Sequence, residues 1–334
     1  MFAEAGGAAA AVGRFLGLNA PVIVRIAERL RRRPPKFVTT CARGSSDFAA
    51  TYAKYLVETL IGVPTSSAAP SVASLFGASV RAGDCLCLAI SQSGRSPDLL
   101  RTVEAHRNSG AYVVALVNDA ESPLAALADD LLPLHAGPEL SVAATKSYIV
   151  SLVGVAAFVA AWAGDTDLDE GLRALPDRLG EAFAHEWPAA QDLLRHATNL
   201  FVLSRGYGLA VAQEAALKLK ETCGLHAEAF STAEVRHGPM AIVGPGFPVL
   251  AFATSDAAGD DVRDVVREFR ARGAHVEILC AAPTSSNSSA ETNHPAVEPI
   301  LQIQSFYRLA NALSVVRGFN PDTPPHLNKV TRTL

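Results

Sequence analysis

The segment KFVTTCARG at 36–44 is a run of β-branched and apolar residues that ends in Arg-Gly and leads into a helical stretch. The segment NLFVLSRG at 199–206 repeats this pattern 162 residues later. Two further pairs recur at the same offset or one residue beyond it: LCLAISQSG (86–94) with PVLAFATSD (248–256), and GAYVVALV (110–117) with GAHVEILC (273–280). Strand-like runs that alternate with helical patterns indicate parallel α/β units. We therefore predict a duplicated α/β fold of two tandem domains, each a mostly parallel sheet flanked by helices in a doubly wound, flavodoxin-like arrangement.

The domain organisation follows from this repeat. We predict five segments along the chain: an N-terminal helical segment (1–33), a first α/β domain (34–165), a helical connector (166–198), a second α/β domain (199–318) and a C-terminal tail (319–334). Within the second domain, the Ser-, Thr- and Asn-rich stretch at 281–295 predicts a mobile loop.

Composition and charge exclude several classes of function. The net charge of −4 gives no basic surface for nucleic acid or for an anionic membrane. The five cysteines form no C-x-x-C pair and no metal-ligand spacing with histidine. The first residues lack the positive region of a signal peptide, and the apolar stretch at 147–164 is shorter than the ~20 residues of a typical span. We expect a cytoplasmic protein that needs no metal, with 147–164 as a buried helix.

Two hydroxyl-rich turns follow predicted strands of the first domain. They are Gly44-Ser45-Ser46, and the run from Ser91 to Ser96 that precedes Pro97, a favourable first residue of a helix. Backbone N–H groups at a helix N-terminus attract an anion, and serine hydroxyls add donors. The pattern fits a sugar phosphate, while the absence of G-x-x-x-x-G-K argues against a nucleoside triphosphate. Serines that only cap the two helices are the alternative.

The second domain has lost these turns. At the repeat offset, Ala253 and Ser255 replace Ser91 and Ser93, whereas Tyr207 and Gly208 replace the serines of the other turn. We therefore predict that only the first domain binds phosphate, which leaves the second copy to supply catalytic groups.

The stretch 214–240 is dense in ionisable residues. Glu214 and Lys218 form an i,i+4 pair on a helix that ends at Gly224, so Glu221 lies in the last turn, where the helix dipole disfavours a carboxylate. A capping box at 231–234 opens a short helix, and His237 follows at its exit. This pattern suits a proton-transfer pair. A solvated surface acid and a loop histidine fit the same spacing.

These motifs resemble the sugar isomerase (SIS) family, over roughly residues 20–334 as two SIS domains. The likeness is greatest to the isomerase half of glucosamine-6-phosphate synthases and to SIS-type glucosamine-6-phosphate deaminases. The segments that carry it occur in the family's order: CARGSSDF, ISQSGRSPDLL, SVAATKSY, EAALKLKETCGLHAEAF, AEVRHGP and HLNKVTRTL. Together with the turns, the resemblance gives the predicted ligands of a sugar phosphate as Ser45, Ser46, Ser91, Gln92, Ser93 and Ser96, with Val142 and Ala144 lining the site.

The resemblance also implies catalytic roles. Glu221 would move the proton between C1 and C2, His237 would assist ring opening from the partner subunit of a homodimer, and Lys329 would form a Schiff base with the ketose carbonyl. A lysine folded over an apolar pocket can lose its proton and become nucleophilic. Ala144 departs from the synthases, which commonly have serine there, so one contact to a sugar hydroxyl is in doubt.

We expect a glucosamine-6-phosphate deaminase that forms fructose 6-phosphate and ammonia without a cofactor. The chain begins without the glutaminase domain of the synthases, which favours this direction over synthesis. The expected ligands are a hexosamine phosphate and fructose 6-phosphate. A galactosamine-6-phosphate deaminase/isomerase and a fructosamine-6-phosphate deglycase would use the same scaffold. A phosphosugar sensor is the non-enzymatic alternative, and it would not need Glu221, His237 and Lys329.

Overall fold

The computed structural model describes residues 1–280 and 294–329, which form two compact units. The first-sheet unit contains Ala10–Glu139, Lys146–Arg173 and the described end of the chain from Asn328. The second-sheet unit contains Met1–Ala9, Leu140–Thr145 and the described parts of Ala174–Leu327. The predicted mobile loop at 281–295 lies outside the described residues, except for its last two positions.

The first-sheet unit is built on a five-stranded parallel sheet. Its strands are β1 (Phe37–Cys41), β2 (Thr65–Ser67), β3 (Cys85–Ser91), β4 (Tyr112–Val117) and β5 (Asp130–Pro133). They lie in the order β2-β1-β3-β4-β5, with every pair parallel. This is the flavodoxin-like order, in which helices cover both faces and the inner strands are almost continuously apolar. Every residue of β3 is buried, as that arrangement requires.

The second-sheet unit repeats the order of the first four strands. Its strands are β6 (Asn199–Ser204), β7 (His226–Ser231), β8 (Pro248–Phe252) and β9 (His275–Leu279), arranged β7-β6-β8-β9 and all parallel. Each of the three segment pairs matched in the sequence falls on a pair of equivalent strands: β1 with β6, β3 with β8, and β4 with β9. The predicted fold class is confirmed.

Helices surround both sheets. In chain order they are α1 (Phe2–Gly6), α2 (Ala8–Arg32), α3 (Ser45–Leu56), α4 (Pro70–Ser74), α5 (Pro97–Asn108), α6 (Pro123–Leu127), α7 (Lys146–Ala163), α8 (Thr166–Arg173), α9 (Leu175–Ala184), α10 (Pro188–Leu194), α11 (Leu209–Cys223), α12 (Thr232–Val235), α13 (Ala257–Ala271) and α14 (Glu298–Val316). A π-helical turn, Val57–Ile61, continues α3, and 3₁₀ turns lie at Gly206–Gly208 and Pro239–Ile242.

Among the described residues, α2 and α7 are long and apolar enough to cross a membrane by length and composition. Helix α7 is nevertheless a core helix, as predicted for 147–164, because 89% of its apolar window is buried. A Cβ at Gly154 would lie 2.9 Å from both Leu116 of β4 and Phe15 of α2, so the glycine allows this close packing.

The duplication extends to a side-chain contact. Arg43, just after β1, forms an ion pair of 2.8 Å with Asp98 of α5. Arg205, just after β6, forms an ion pair of 2.8 Å with Asp261 of α13. Each pair fixes the end of the unit's first long strand to the helix that follows the next strand across the sheet. Helix α5, which follows the serine turn at 91–96, is therefore held in the same way as its counterpart α13.

Candidate functional site

The turn after β3 has a geometry that only glycine can adopt at position 94. Ser91 accepts a hydrogen bond from the Gly94 N–H at 2.9 Å. Gly94 has a φ of +64°, and a Cβ there would lie 2.3 Å from Ser122 Oγ and 2.9 Å from Val117 Cγ2. Because positive φ and this close approach both disfavour any side chain, position 94 requires glycine, and the backbone between Ser93 and Ser96 is not covered by a side chain at that position.

The two serine turns lie at one edge of the first sheet. Cys41 pairs with Ala89 where β1 and β3 are neighbours, so the turns after these strands both face the carboxyl edge. Ser45 and Ser46 are the first residues of α3, and Ser96 is the N-cap of α5. Parallel α/β sheets bind their ligands at this edge, beside helix N-termini. The structure therefore brings the predicted phosphate ligands of the two turns together.

Capping does not account for these hydroxyls. The N-cap of α3 is Gly44, and the side chain of Ser96 makes no capping hydrogen bond to α5. By contrast, Ser122 and Ser231 do cap α6 and α12 with their side chains. Within 1–280 and 294–329, the hydroxyls of Ser46, Ser93 and Ser96 have no recorded hydrogen bond to another residue. Their donors thus remain available to an anion.

An acidic residue lies beside the first serine turn. Asp47 follows Ser46 in the first turn of α3. Burial raises the pKa of Asp47, and the nearby Arg43 guanidinium offsets only part of that rise.

In the second-sheet unit, the equivalent turn already holds carboxylates of the chain itself. The Ser255 N–H donates to Glu298 Oε2 at 2.8 Å, and Asp256 accepts from the Gly259 N–H to cap α13. Glu298 is buried, and burial raises its pKa, although the hydrogen bond from Ser255 opposes that rise. An incoming phosphate would meet these carboxylates, which supports the prediction that only the first copy binds it.

The ionisable groups of α11 form a buried cluster. Lys218 Nζ lies 2.6 Å from Glu221 Oε2 and 3.5 Å from Glu214 Oε1. The side chains of Lys218 and Glu214 are 1% and 0% exposed, whereas that of Glu221 is 20% exposed. Glu221 is therefore the member of the cluster that an outside molecule can reach.

The charge of Lys218 is maintained inside the unit. Burial lowers the pKa of Lys218, but Glu214 and Glu221 raise it by more, so the net pKa is raised. Lys218 thus remains an ammonium that stabilises carboxylates on both sides. Such a cluster can hold Glu221 in a defined orientation and compensate the loss or gain of its proton.

Asp261 anchors the helix that precedes His237. Its carboxylate contacts Thr232 at the start of α12 as well as Arg205 and Arg236. Burial alone would raise the pKa of Asp261, but the hydrogen bonds and charges of these three residues hold it below its usual value. Ser231 caps α12 by accepting a hydrogen bond from the Ala233 N–H, one residue before the Glu234 N–H that a capping box would use.

His237 lies two residues beyond α12 and its side chain is exposed. Its N–H donates to Glu234 O, and the part of the chain that the structure describes has no recorded side-chain contact between His237 and Glu221. The structure thus leaves the predicted role of His237 in a partner's site as a prediction.

The predicted Schiff-base lysine is paired with a buried acid. Lys329 Nζ lies 3.7 Å from Glu139 Oε2, and the Glu139 side chain is 0% exposed. Glu139 also accepts hydrogen bonds from the N–H and hydroxyl of Ser147 at the start of α7. Lys329 Nζ is therefore held beside a buried carboxylate in this structure.

Val142 and Ala144 lie in the segment Leu140–Thr145 of the second-sheet unit and are half-buried. The Val142 N–H donates to Asp322 O at 3.2 Å. The structure records no group of three or more potential metal-ligating side chains among the described residues.

Three contacts were missed by sequence reasoning. The Lys218–Glu221 pair has i,i+3 spacing and could have been found from the sequence. Tyr307 donates a hydrogen bond to Glu214 at 2.9 Å, and Glu139 pairs with Lys329. These two contacts join residues 93 and 190 positions apart, and no local pattern signals them.

Comparison with known proteins agrees with this geometry. The SIS domain family matches the chain twice, at residues 34–161 and 193–315. Glutamine–fructose-6-phosphate aminotransferase [isomerizing] of Aeropyrum pernix is 33% identical over 314 residues, covering 86% of this chain and 49% of the relative. The Sulfolobus acidocaldarius enzyme of that name is 36% identical over 249 residues, covering 74% and 42%. The chain thus spans about half the length of these relatives and corresponds to their isomerase half.

Solved structures give the same assignment. A candidate phosphosugar isomerase from Silicibacter pomeroyi has a TM-score of 0.90 and 44% identity, covering 96% of this chain and 99% of that one. Glucosamine-6-phosphate deaminase from Thermotoga maritima has a TM-score of 0.73 at 21% identity, covering 97% and 100%, a likeness of fold alone. Two SIS domains match the chain, and the two sheets share one strand order. The chain therefore belongs to the SIS domain family, as a relative of phosphosugar isomerases.

Proposed function

We propose that the protein is an aminosugar-phosphate isomerase that deaminates glucosamine 6-phosphate to fructose 6-phosphate and ammonia. The observation that carries this proposal is the Glu214–Lys218–Glu221 cluster, in which a partly exposed carboxylate is backed by a buried ammonium. A domain that only senses a phosphosugar does not need such a proton-transfer group, and burying the charges of Glu214 and Lys218 is costly. The serine turns of the first-sheet unit supply the phosphate recognition that this substrate requires.

The reaction begins with anchoring of the phosphate by Ser46, Ser93 and Ser96. His237 assists opening of the sugar ring. Glu221 removes the proton from C2 of the open-chain aldose and returns it to C1, so the amine at C2 becomes an imine and C1 becomes an alcohol. Lys218 compensates the changing charge of Glu221 during this transfer.

Release of ammonia follows from the imine. The neutral amine of Lys329 attacks C2, the C–N bond to the original nitrogen breaks, and ammonia departs. Water then hydrolyses the Lys329 Schiff base to give the ketose and the free lysine. The Glu139 carboxylate, 3.7 Å from Lys329 Nζ, is the acidic neighbour of this amine.

A coupled assay for ammonia and fructose 6-phosphate tests this function. The purified protein, treated with a chelator, is assayed with glucosamine 6-phosphate, galactosamine 6-phosphate and fructosamine 6-phosphate, and we expect turnover of the first. Isomerisation without release of ammonia would show that the protein is a phosphosugar isomerase and not a deaminase. Faster turnover of galactosamine 6-phosphate or fructosamine 6-phosphate would assign that compound as the substrate instead. Tight binding of phosphosugars without any turnover would favour a sensor.

Glu221→Gln should lower kcat about 10²–10⁴-fold, because general acid–base catalysis contributes rate effects of that size. The matched control is Glu228→Gln, which removes an exposed carboxylate from the neighbouring strand β7. We expect the control to keep wild-type kcat. Equal kcat values for Glu221→Gln and Glu228→Gln would show that Glu221 does not transfer the proton.

A further inference from the structure

Helix α14 contributes one polar group to the cluster on α11. The ring of Tyr307 is 0% exposed, and its hydroxyl donates to Glu214 Oε1 at 2.9 Å. The same oxygen of Glu214 lies 3.5 Å from Lys218 Nζ. Tyr307 thus donates to the acid of the cluster whose side chain is fully buried.

Two carboxylates share the single ammonium of Lys218. If either carboxylate could take up a proton, the cluster would have two alternative protonated forms, and only one would place the proton on Glu221. A hydrogen bond donated to a carboxylate stabilises its ionised form. Tyr307 donates such a hydrogen bond to Glu214, whose side chain is 0% exposed.

We infer that Tyr307 is a positioning residue that keeps Glu214 ionised as the permanent counter-ion of Lys218, so that proton exchange is confined to Glu221. This inference rests on the proposed function, since it concerns the proton transfer of the same site. Tyr307 donates its hydroxyl hydrogen bond to Glu214. Its effect on the reaction passes through Glu214.

The test compares Tyr307→Phe with Ser314→Ala in the full chain. Both variants lose one buried hydrogen bond between α14 and α11, because Ser314 Oγ donates to Thr222 O at 2.7 Å. We expect Tyr307→Phe to lower kcat for glucosamine 6-phosphate about tenfold, the effect of one weakened hydrogen bond to a charged group. Its KM should stay within about twofold of wild type by the same reasoning, since phosphate binding is untouched. Ser314→Ala should keep wild-type kcat.

A double-mutant cycle with Glu214→Gln separates positioning from a general packing effect. If Tyr307 acts through Glu214, then adding Tyr307→Phe to Glu214→Gln should lower kcat no further. Full additivity of the two substitutions, or an equal loss of kcat in Ser314→Ala, would overturn the inference while leaving the proposed function intact. A wild-type protein that turns over no hexosamine phosphate would instead refute the proposed function.

Discussion

At the scale of single residues, the site depends on charges that are buried only because each has a partner. Lys218 has two carboxylates, and Lys329 has Glu139, which in turn accepts two hydrogen bonds from Ser147. Burying an unpaired charge is far more costly than burying a pair, so these contacts limit the free-energy cost of placing ionisable groups in the site. The sequence pointed only to the dipole of α11 as an influence on Glu221. The structure adds the Lys218 ammonium, 2.6 Å from Glu221 Oε2.

Reduction with borohydride tests the role of Lys329. In the presence of fructose 6-phosphate, borohydride should convert the Schiff base to a stable secondary amine on Lys329, detected by mass spectrometry of the digested protein. Lys329→Arg keeps a cation beside Glu139 but cannot form the adduct, so it should show none. An active enzyme without an adduct at Lys329 would mean that water attacks the imine directly.

At the scale of elements, two helix N-termini at neighbouring strand ends carry the predicted phosphate ligands, and Gly94 shapes the turn that follows β3. The duplicated Arg–Asp pairs hold α5 and α13 alike. The two units differ in the turn that precedes these helices. The turn after β3 carries serine hydroxyls, whereas the turn after β8 is occupied by the carboxylates of Asp256 and Glu298. Recognition of the anion is thus a property of the turn residues and not of the shared α/β scaffold.

The serine turn can be tested against its own duplicate. Ser93→Ala combined with Ser96→Ala should weaken binding of fructose 6-phosphate, since each lost hydrogen bond to a charged phosphate costs about 1.5–3 kcal/mol. Ser255→Ala, at the position equivalent to Ser93, should leave binding unchanged. Isothermal titration calorimetry measures both dissociation constants. Weaker binding in Ser255→Ala, with no change in the double variant, would place the phosphate in the second unit.

Gly94→Ala should destabilise the fold more than a comparable glycine substitution elsewhere. Gly62 also has positive φ (+76°), but a Cβ there would meet nothing within 4 Å. Gly62→Ala should therefore cost only the conformational term of about 1–2 kcal/mol. Gly94→Ala should add about 1–3 kcal/mol for the collision with Ser122 and Val117. Urea unfolding measures both values, and equal losses would show that the turn relaxes around the methyl group.

At the scale of the whole molecule, the exposed position of His237 raises the question of which site this predicted catalytic residue serves. His237 has no recorded contact with Glu221 among the described residues, yet Asp261 anchors the short helix before it. We propose that the protein is a homodimer in which His237 acts on the substrate bound by the other subunit. An isologous dimer would contain two such shared sites.

Complementation between inactive variants tests this arrangement. Glu221→Gln and His237→Ala proteins are mixed under conditions of subunit exchange. Each mixed dimer should then have one intact and one doubly defective site, so about a quarter of wild-type activity should return at full exchange. Verified mixed dimers without activity would place both residues in the site of one subunit.

The sequence by itself determined the duplicated parallel fold and the position of the serine turns after β1 and β3. Apolar periodicity, glycines and strand-ending serines are local signals, and parallel pairing carries the strand ends to one edge of the sheet. Tertiary structure decided which charges meet: Tyr307 with Glu214, Lys329 with Glu139, and Glu298 with the turn at Ser255. Each of these contacts joins residues at least 43 positions apart. Such pairs depend on how helices pack against one another and against the sheet, because a side chain's distant neighbours are set by packing and not by the residues beside it in the chain.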